Sequence, residues 1–316
     1  MSLPPMTPPA IPNRPLGAAD ILQAMFALYK RGWKTLVLLS LLPSILSVAV
    51  LLGALIGMLL PILPLLLQGA NGIDSETAIL SAFGSVTVLL VALLLGELLL
   101  VALGCWIGAA VGAAVHTMDE GHLPTMREIW QRCRVIIGQC FALVGLYAAG
   151  GLAVMLLLAA LIALPVALKQ PELTLLIFPA MLALAVAVIV LNARLALTLP
   201  ILGIEQRTAM EAVGRSWQLT RGATLRVIGV QLLVGLLISL GQQLILGILQ
   251  LCLRSVIEQL EYAGSDPVGL LIVGGPALII GLFTGTAYRI LTTPASWLIN
   301  SVLYIDLTRR RAHGMV

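Results

Sequence analysis

Residues 79–115 carry a single charged side chain, Glu97, in 37 positions. A soluble helix of that length shows a polar face, and this run shows none, so its natural solvent is a lipid bilayer. About 20 apolar residues suffice to cross the ~30 Å hydrocarbon core. As one helix the run would be ~55 Å long, so it either tilts or protrudes. Further apolar runs occupy about 35–60, 135–168, 173–204, 225–253 and 268–305. The segments between them are too short to fold as soluble domains. Only 10% of the chain is charged, against roughly 25% in soluble domains.

Charge placement orients these six runs. With the N-terminus inside, the inner segments hold Arg14, Lys30, Arg31 and Lys34, then Arg127, Arg132 and Arg134, then Arg207, Arg215, Arg221 and Arg226, then Arg309, Arg310 and Arg311. These are fourteen of the eighteen Lys and Arg residues. The outer loops hold Lys169 and Arg254. An excess of basic residues marks cytoplasmic loops, so six spans with both ends in the cytoplasm are expected. The net charge of +4 is therefore a topology signal and gives no reason to invoke nucleic acid.

The Pro-rich residues 1–15 lack the apolar core of a signal peptide and read as a disordered tail. Residues 16–308 form the membrane domain, and 309–316 a basic tail. Between the spans, three short stretches read as amphipathic helices on the cytoplasmic surface. Ile21, Leu22, Met25, Leu28 and Tyr29 share one face of the first. Thr125 with Glu128, and Thr208 with Glu211, have the spacing of capping boxes that open the second and third. Each helix starts near an acid (Asp20, Glu128, Glu211) and leads through basic residues into a span. RVIIGQ at 134–139 and RVIGVQ at 226–231 recur at the start of the spans that follow. The expectation is three pseudo-repeated hairpins, each a surface helix, a span, an outer loop and a span.

In the third copy, RLALTLPILGIEQ, AMEAVGRSWQLTRG and RVIGV resemble the signature of the membrane domain of glycerophosphoryl diester phosphodiesterases and related bacterial inner-membrane proteins. The C-terminal NSVLYIDLTRRRAHG is similar to that group's ending, where a tyrosine, an aspartate and a basic cluster close the last span. RPLGAADIL and LYKRGWKTL near the N-terminus fit it as well. The resemblance implies a multi-pass protein of the bacterial cytoplasmic membrane with cytoplasmic termini. With ten residues following Asp306, no catalytic domain is expected and no phosphodiesterase activity is carried over.

Glu97, Arg194 and Arg289 are the charged residues well inside the spans. An arginine at the bilayer centre costs at least ~2.5 kcal/mol on insertion scales, so pairing of Glu97 with Arg194 or Arg289 is expected, either as a structural ion pair or in a polar cavity on a substrate path. Glu97 lies ~27 Å along its helix from the ends of its run, and Arg194 lies ~16 Å from Glu205. Trp130, Arg134, Arg215, Trp217 and Arg221 mark the cytoplasmic interface, where aromatic anchoring and attraction to anionic lipid are expected. His116, Asp119, Glu120 and His122 match no zinc spacing and read as a solvated turn. Cys105, Cys133, Cys140 and Cys252 read as buried thiols without a ligand pattern. No phosphate loop, nucleophile elbow or zinc-peptidase helix is present, and neither cofactor nor catalytic residue is expected.

The sequence thus predicts an all-α membrane protein without enzymatic activity. Two roles stay open: binding or transport of a small or lipid-like substrate through a polar interior, and an accessory role in which the cytoplasmic helices dock a partner. Its environment is the phospholipid bilayer; the oligomeric state leaves no sequence signature.

Overall fold

The computed structural model describes residues 11, 14, 16–68, 75–167, 174–254, 258 and 267–312, and among these all regular structure is helical. In chain order the helices are α1 (Ala18–Gln68), α2 (Ser75–Asp119), α3 (Met126–Cys133), α4 (Ile137–Ala167), α5 (Thr174–Leu195), α6 (Thr198–Glu205), α7 (Ala209–Thr220), α8 (Thr224–Cys252) and α9 (Pro267–Ala312). Five segments among the described residues are long and apolar enough to cross a membrane: Ala18–Gly53, Leu93–Asp119, Ile137–Ala163, Ile177–Glu205 and Thr224–Cys252. The sixth expected run, 268–305, falls within α9 and is not among those five. The expected outer turn at 169–172 and residues 1–10 lie outside the described residues.

Several boundaries differ from the sequence reading. The expected surface helix at 17–33 and the span at 35–60 are one helix, α1, because charged Lys30, Arg31 and Lys34 change the helix's surroundings without breaking its hydrogen bonds. The same helix passes Pro61 and Pro64, and α4 passes Pro165. A proline removes one backbone bond, and membrane helices absorb that loss. The span expected at 173–204 stands as the candidate span Ile177–Glu205, but its helix is interrupted at Ala196 and Leu197. Pro200 stands in the first turn of α6, where its missing N–H costs nothing but where its ring excludes the helical carbonyl of Ala196. Gln206 then closes α6 in the left-handed region, φ 52°.

The starts of three helices share one device. The backbone N–H of Gly17 donates to Asp20 at 2.9 Å, that of Thr125 to Glu128 at 3.1 Å, and that of Thr208 to Glu211 at 3.2 Å. At α3 and α7 the threonine hydroxyl accepts in return, completing both expected capping boxes. Thus an acid three residues on satisfies a helix-start donor in each case.

The chain forms two compact units. One comprises residues 1–39, 105–245 and 292–316. Its centre is the second half of α2, where Ile107, Ala109, Ala110, Val111, Ala113, Ala114 and Val115 are all buried. Small side chains let α6 approach α2 closely, the usual means of helix association in lipid. A Cβ on Gly203 would lie 1.9 Å from the carbonyl oxygen of Ala109, and one on Gly112 would lie 2.9 Å from Cα of Pro200. The other unit comprises residues 40–104 and 246–291. There Gly96 meets Val50, Ser40 donates to the carbonyl of Ile290 at 2.7 Å, and Arg289 Nη1 donates to Ser47 Oγ at 2.9 Å.

Candidate functional site

Within the first unit, α5, α8 and α9 enclose a groove of about 340 Å³. Its polar side chains are Asn192, Gln231, Ser296 and Asn300. Gln231 is seven residues into α8, so it lies ~10 Å along the helix from Thr224. Gln231 Nε2 donates to Asn300 Oδ1 at 3.0 Å, and Ser296 Oγ donates to the carbonyl of Thr293 at 2.7 Å. The Asn192 carboxamide is exposed. The remaining wall is apolar, with Ile189, Ile228, Leu232, Val234, Ile238 and Ile299 around Gly235. Among the described residues no charged side chain lines the groove. Convergent neutral polar groups in an apolar cleft are the general form of a small-molecule site.

The charged residues of this unit assemble elsewhere, around Asp306, which is 2% exposed. Its carboxylate accepts from the backbone N–H of Leu16 at 3.0 Å, from Arg226 Nη2 at 2.9 Å and from Arg310 Nε at 3.0 Å. Arg226 and Arg310 both also donate to the carbonyl of Leu16. One turn further, Arg309 pairs with Asp119 at 2.7 Å and donates to the carbonyl of Ile11. Glu205, at the end of α6, accepts from Tyr304 at 2.7 Å and pairs with Arg207 and Arg215. Arg311 donates to the carbonyl of Gln218. The basic residues 309–311 are thus part of α9 and of this network.

The three intramembrane charges go to different places. The Arg194 guanidinium stacks on Trp217 at 4.6 Å from the ring centroid, while its backbone carbonyl accepts from Ser216 at 2.6 Å. Arg289 is held by Ser47, and Glu97 is exposed on α2. Among the described residues none of the three belongs to an ion pair within 4.0 Å. Thus an aromatic face meets Arg194 and a hydroxyl meets Arg289.

At the interface positions, Trp130 is exposed and packs edge-on against Trp106, with centroids 5.4 Å apart. Arg134 caps α3 through its backbone N–H and Arg221 does the same for α7. Arg215 is committed to Glu205 at 3.6 Å. His116 pairs with Glu120 at 3.3 Å, whereas Asp119 turns away to Arg309. Cys105, Cys133 and Cys140 are buried, but Cys252 is exposed. Burial pushes the Cys133 thiol up to about 11.

Sequence reasoning did not pick out Asp306 as a hub or Asn192, Gln231 and Asn300 as a set. The YIDLTRRR motif held the signal for Asp306. For the amides the signal was three carboxamides inside apolar runs, whose convergence only the fold reveals.

These helices and this groove define the class: a helical membrane protein with a neutral polar cleft. Residues 166–304 match the family model described as the membrane domain of glycerophosphoryl diester phosphodiesterase. That segment includes every residue lining the groove, and it is a membrane domain rather than a catalytic one. No curated protein and no solved structure matches the chain.

Proposed function

We propose that this is a non-enzymatic, multi-pass protein of the bacterial cytoplasmic membrane that binds a lipid-like amphiphile in the groove between α5, α8 and α9. The single observation that carries the reading is the Gln231–Asn300 amide pair, with exposed Asn192, set among isoleucine and leucine side chains. Apolar walls hold a chain, and the amides fix a polar group at one depth.

In the proposed topology 268–305 is the sixth span, both termini are cytoplasmic, and the start of α1, α3 and α7 introduce three hairpin repeats. The basic-residue distribution and the shared acid at three helix starts support it. Exposed Trp130, Met210, Trp217 and Leu225 beside Arg134 and Arg221 suit the headgroup layer, where anionic lipid supplies counter-charge. Reporter fusions at residues 122, 170, 206 and 260 test the topology: activity expected of periplasmic fusions at 122 or 206 would refute it.

The functional test is native mass spectrometry of protein purified in a mild detergent. A stoichiometric lipid is expected, and it should be lost on Gln231→Leu but kept on Glu97→Gln. The opposite pattern would move the site to the exposed face of α2 at Glu97.

A further inference from the structure

We propose that the part of the ligand seated in the groove is uncharged and hydroxylated, with an alkyl chain against the isoleucine and leucine wall. This rests on the groove reading above and names its substrate class. The donor and acceptor inventory carries it. Once Gln231 Nε2 donates to Asn300 Oδ1, Gln231 keeps its oxygen and one N–H, Asn300 keeps its amino group, and Asn192 offers a whole carboxamide. Ser296, having donated to the Thr293 carbonyl, retains acceptor capacity. The groove therefore presents donors and acceptors side by side.

A hydroxyl uses both, because it donates and accepts. A phosphate oxygen only accepts and an ammonium only donates, so either leaves half of these groups unsatisfied. Either would also enter a cleft whose lining, among the described residues, has no opposite charge, and an uncompensated charge there is strongly penalised. The arginines of the unit do not alter this: Arg226 and Arg310 are committed to Asp306, and Arg194 to Trp217. The volume of about 340 Å³ stands at the low end of the usual ~300–1,000 Å³ for ligand pockets. It suits a small polar head and the first part of a chain better than a whole phospholipid.

The experiment uses the full chain in nanodiscs and a photoreactive monoacylglycerol with the crosslinking group near the glycerol. Labelled peptides are expected from α5, α8 and α9 around Asn192, Gln231 and Asn300. Unlabelled monoacylglycerol should compete, and the matching lysophosphatidate should compete at least ten-fold less well. Asn192→Leu, at an exposed position, should lower labelling about 5- to 10-fold, as loss of one or two hydrogen bonds implies, with the melting temperature unchanged. Equal or better competition by lysophosphatidate would overturn the uncharged class while leaving the groove as the site. Labelling of other segments only, by either lipid, would overturn the groove itself.

Discussion

Asp306 and Arg226 stand eighty residues apart in sequence and 2.9 Å apart in space, with the Asp306 side chain almost fully buried. A carboxylate at that depth is held in place by its three donors, and each donor depends on it in turn. Removing the charge leaves two guanidinium groups converging on a neutral amide. Asp306→Asn is expected to destabilise the first unit by about 2–4 kcal/mol, somewhat below the range for a fully buried broken pair because both arginines keep some exposure. Fluorescence-detected thermal unfolding in detergent measures it, and an unchanged midpoint would refute the hub.

The α2–α6 contact gives a sharper packing prediction. Gly203→Ala places a carbon into the Ala109 carbonyl, and two backbones must separate to admit it. The cost should exceed the ~1–3 kcal/mol of ordinary overpacking, and most of the protein should elute as aggregate on size-exclusion chromatography. Gly214→Ala, in α7 with nothing within 4 Å of its Cβ, is the control. It should be neutral or stabilise by up to ~1 kcal/mol through helix propensity.

Glu128 predicts a local response to acid. The backbone N–H and hydroxyl of Thr125 hold its carboxyl below the ordinary glutamate value, with Arg132 adding to the effect. A group lowered on folding contributes stability that is full above its unfolded value, ~4.3, and that is lost as pH falls through the folded one. Amide hydrogen exchange should therefore show the start of α3 losing protection below about pH 4. Glu128→Gln, which has no titrating carboxyl, should remove that pH dependence.

The thiols should react in a fixed order. At pH 7.5 maleimide is expected to modify exposed Cys252 within minutes. Cys133, buried and pushed up to about 11, has almost no thiolate to offer. It should label only after unfolding in dodecyl sulfate. Rapid labelling of Cys133 in the folded protein would contradict its burial at the end of α3.

Hydrophobicity made the spans legible because a helix in lipid needs little beyond length and apolar side chains. The α3 and α7 capping boxes were legible too, since Thr125–Glu128 and Thr208–Glu211 interact locally. What periodicity could not show was where charge would meet charge. Arg194 faces an indole because α7 folds back against α5, after the left-handed turn at Gln206 that closes α6. The groove was hidden for the same reason: Asn192, Gln231 and Asn300 belong to three helices, and only tertiary packing brings their amides together. The continuous α1 shows the reverse error, in which a change of polarity at Lys30 to Lys34 was taken for a change of structure.

The hydrogen bond from Leu16 to Asp306 spans 290 residues, which sets an order of events during synthesis. Leu16 leaves the ribosome long before its partner, which is made only after every other described helix has begun. Until then Arg226 lacks its carboxylate, and the carbonyl of Leu16 lacks Arg310. Closure of this clamp is thus a late event: until residue 306 is made, the start of α1 and Arg226 in α8 lack the carboxylate that joins them.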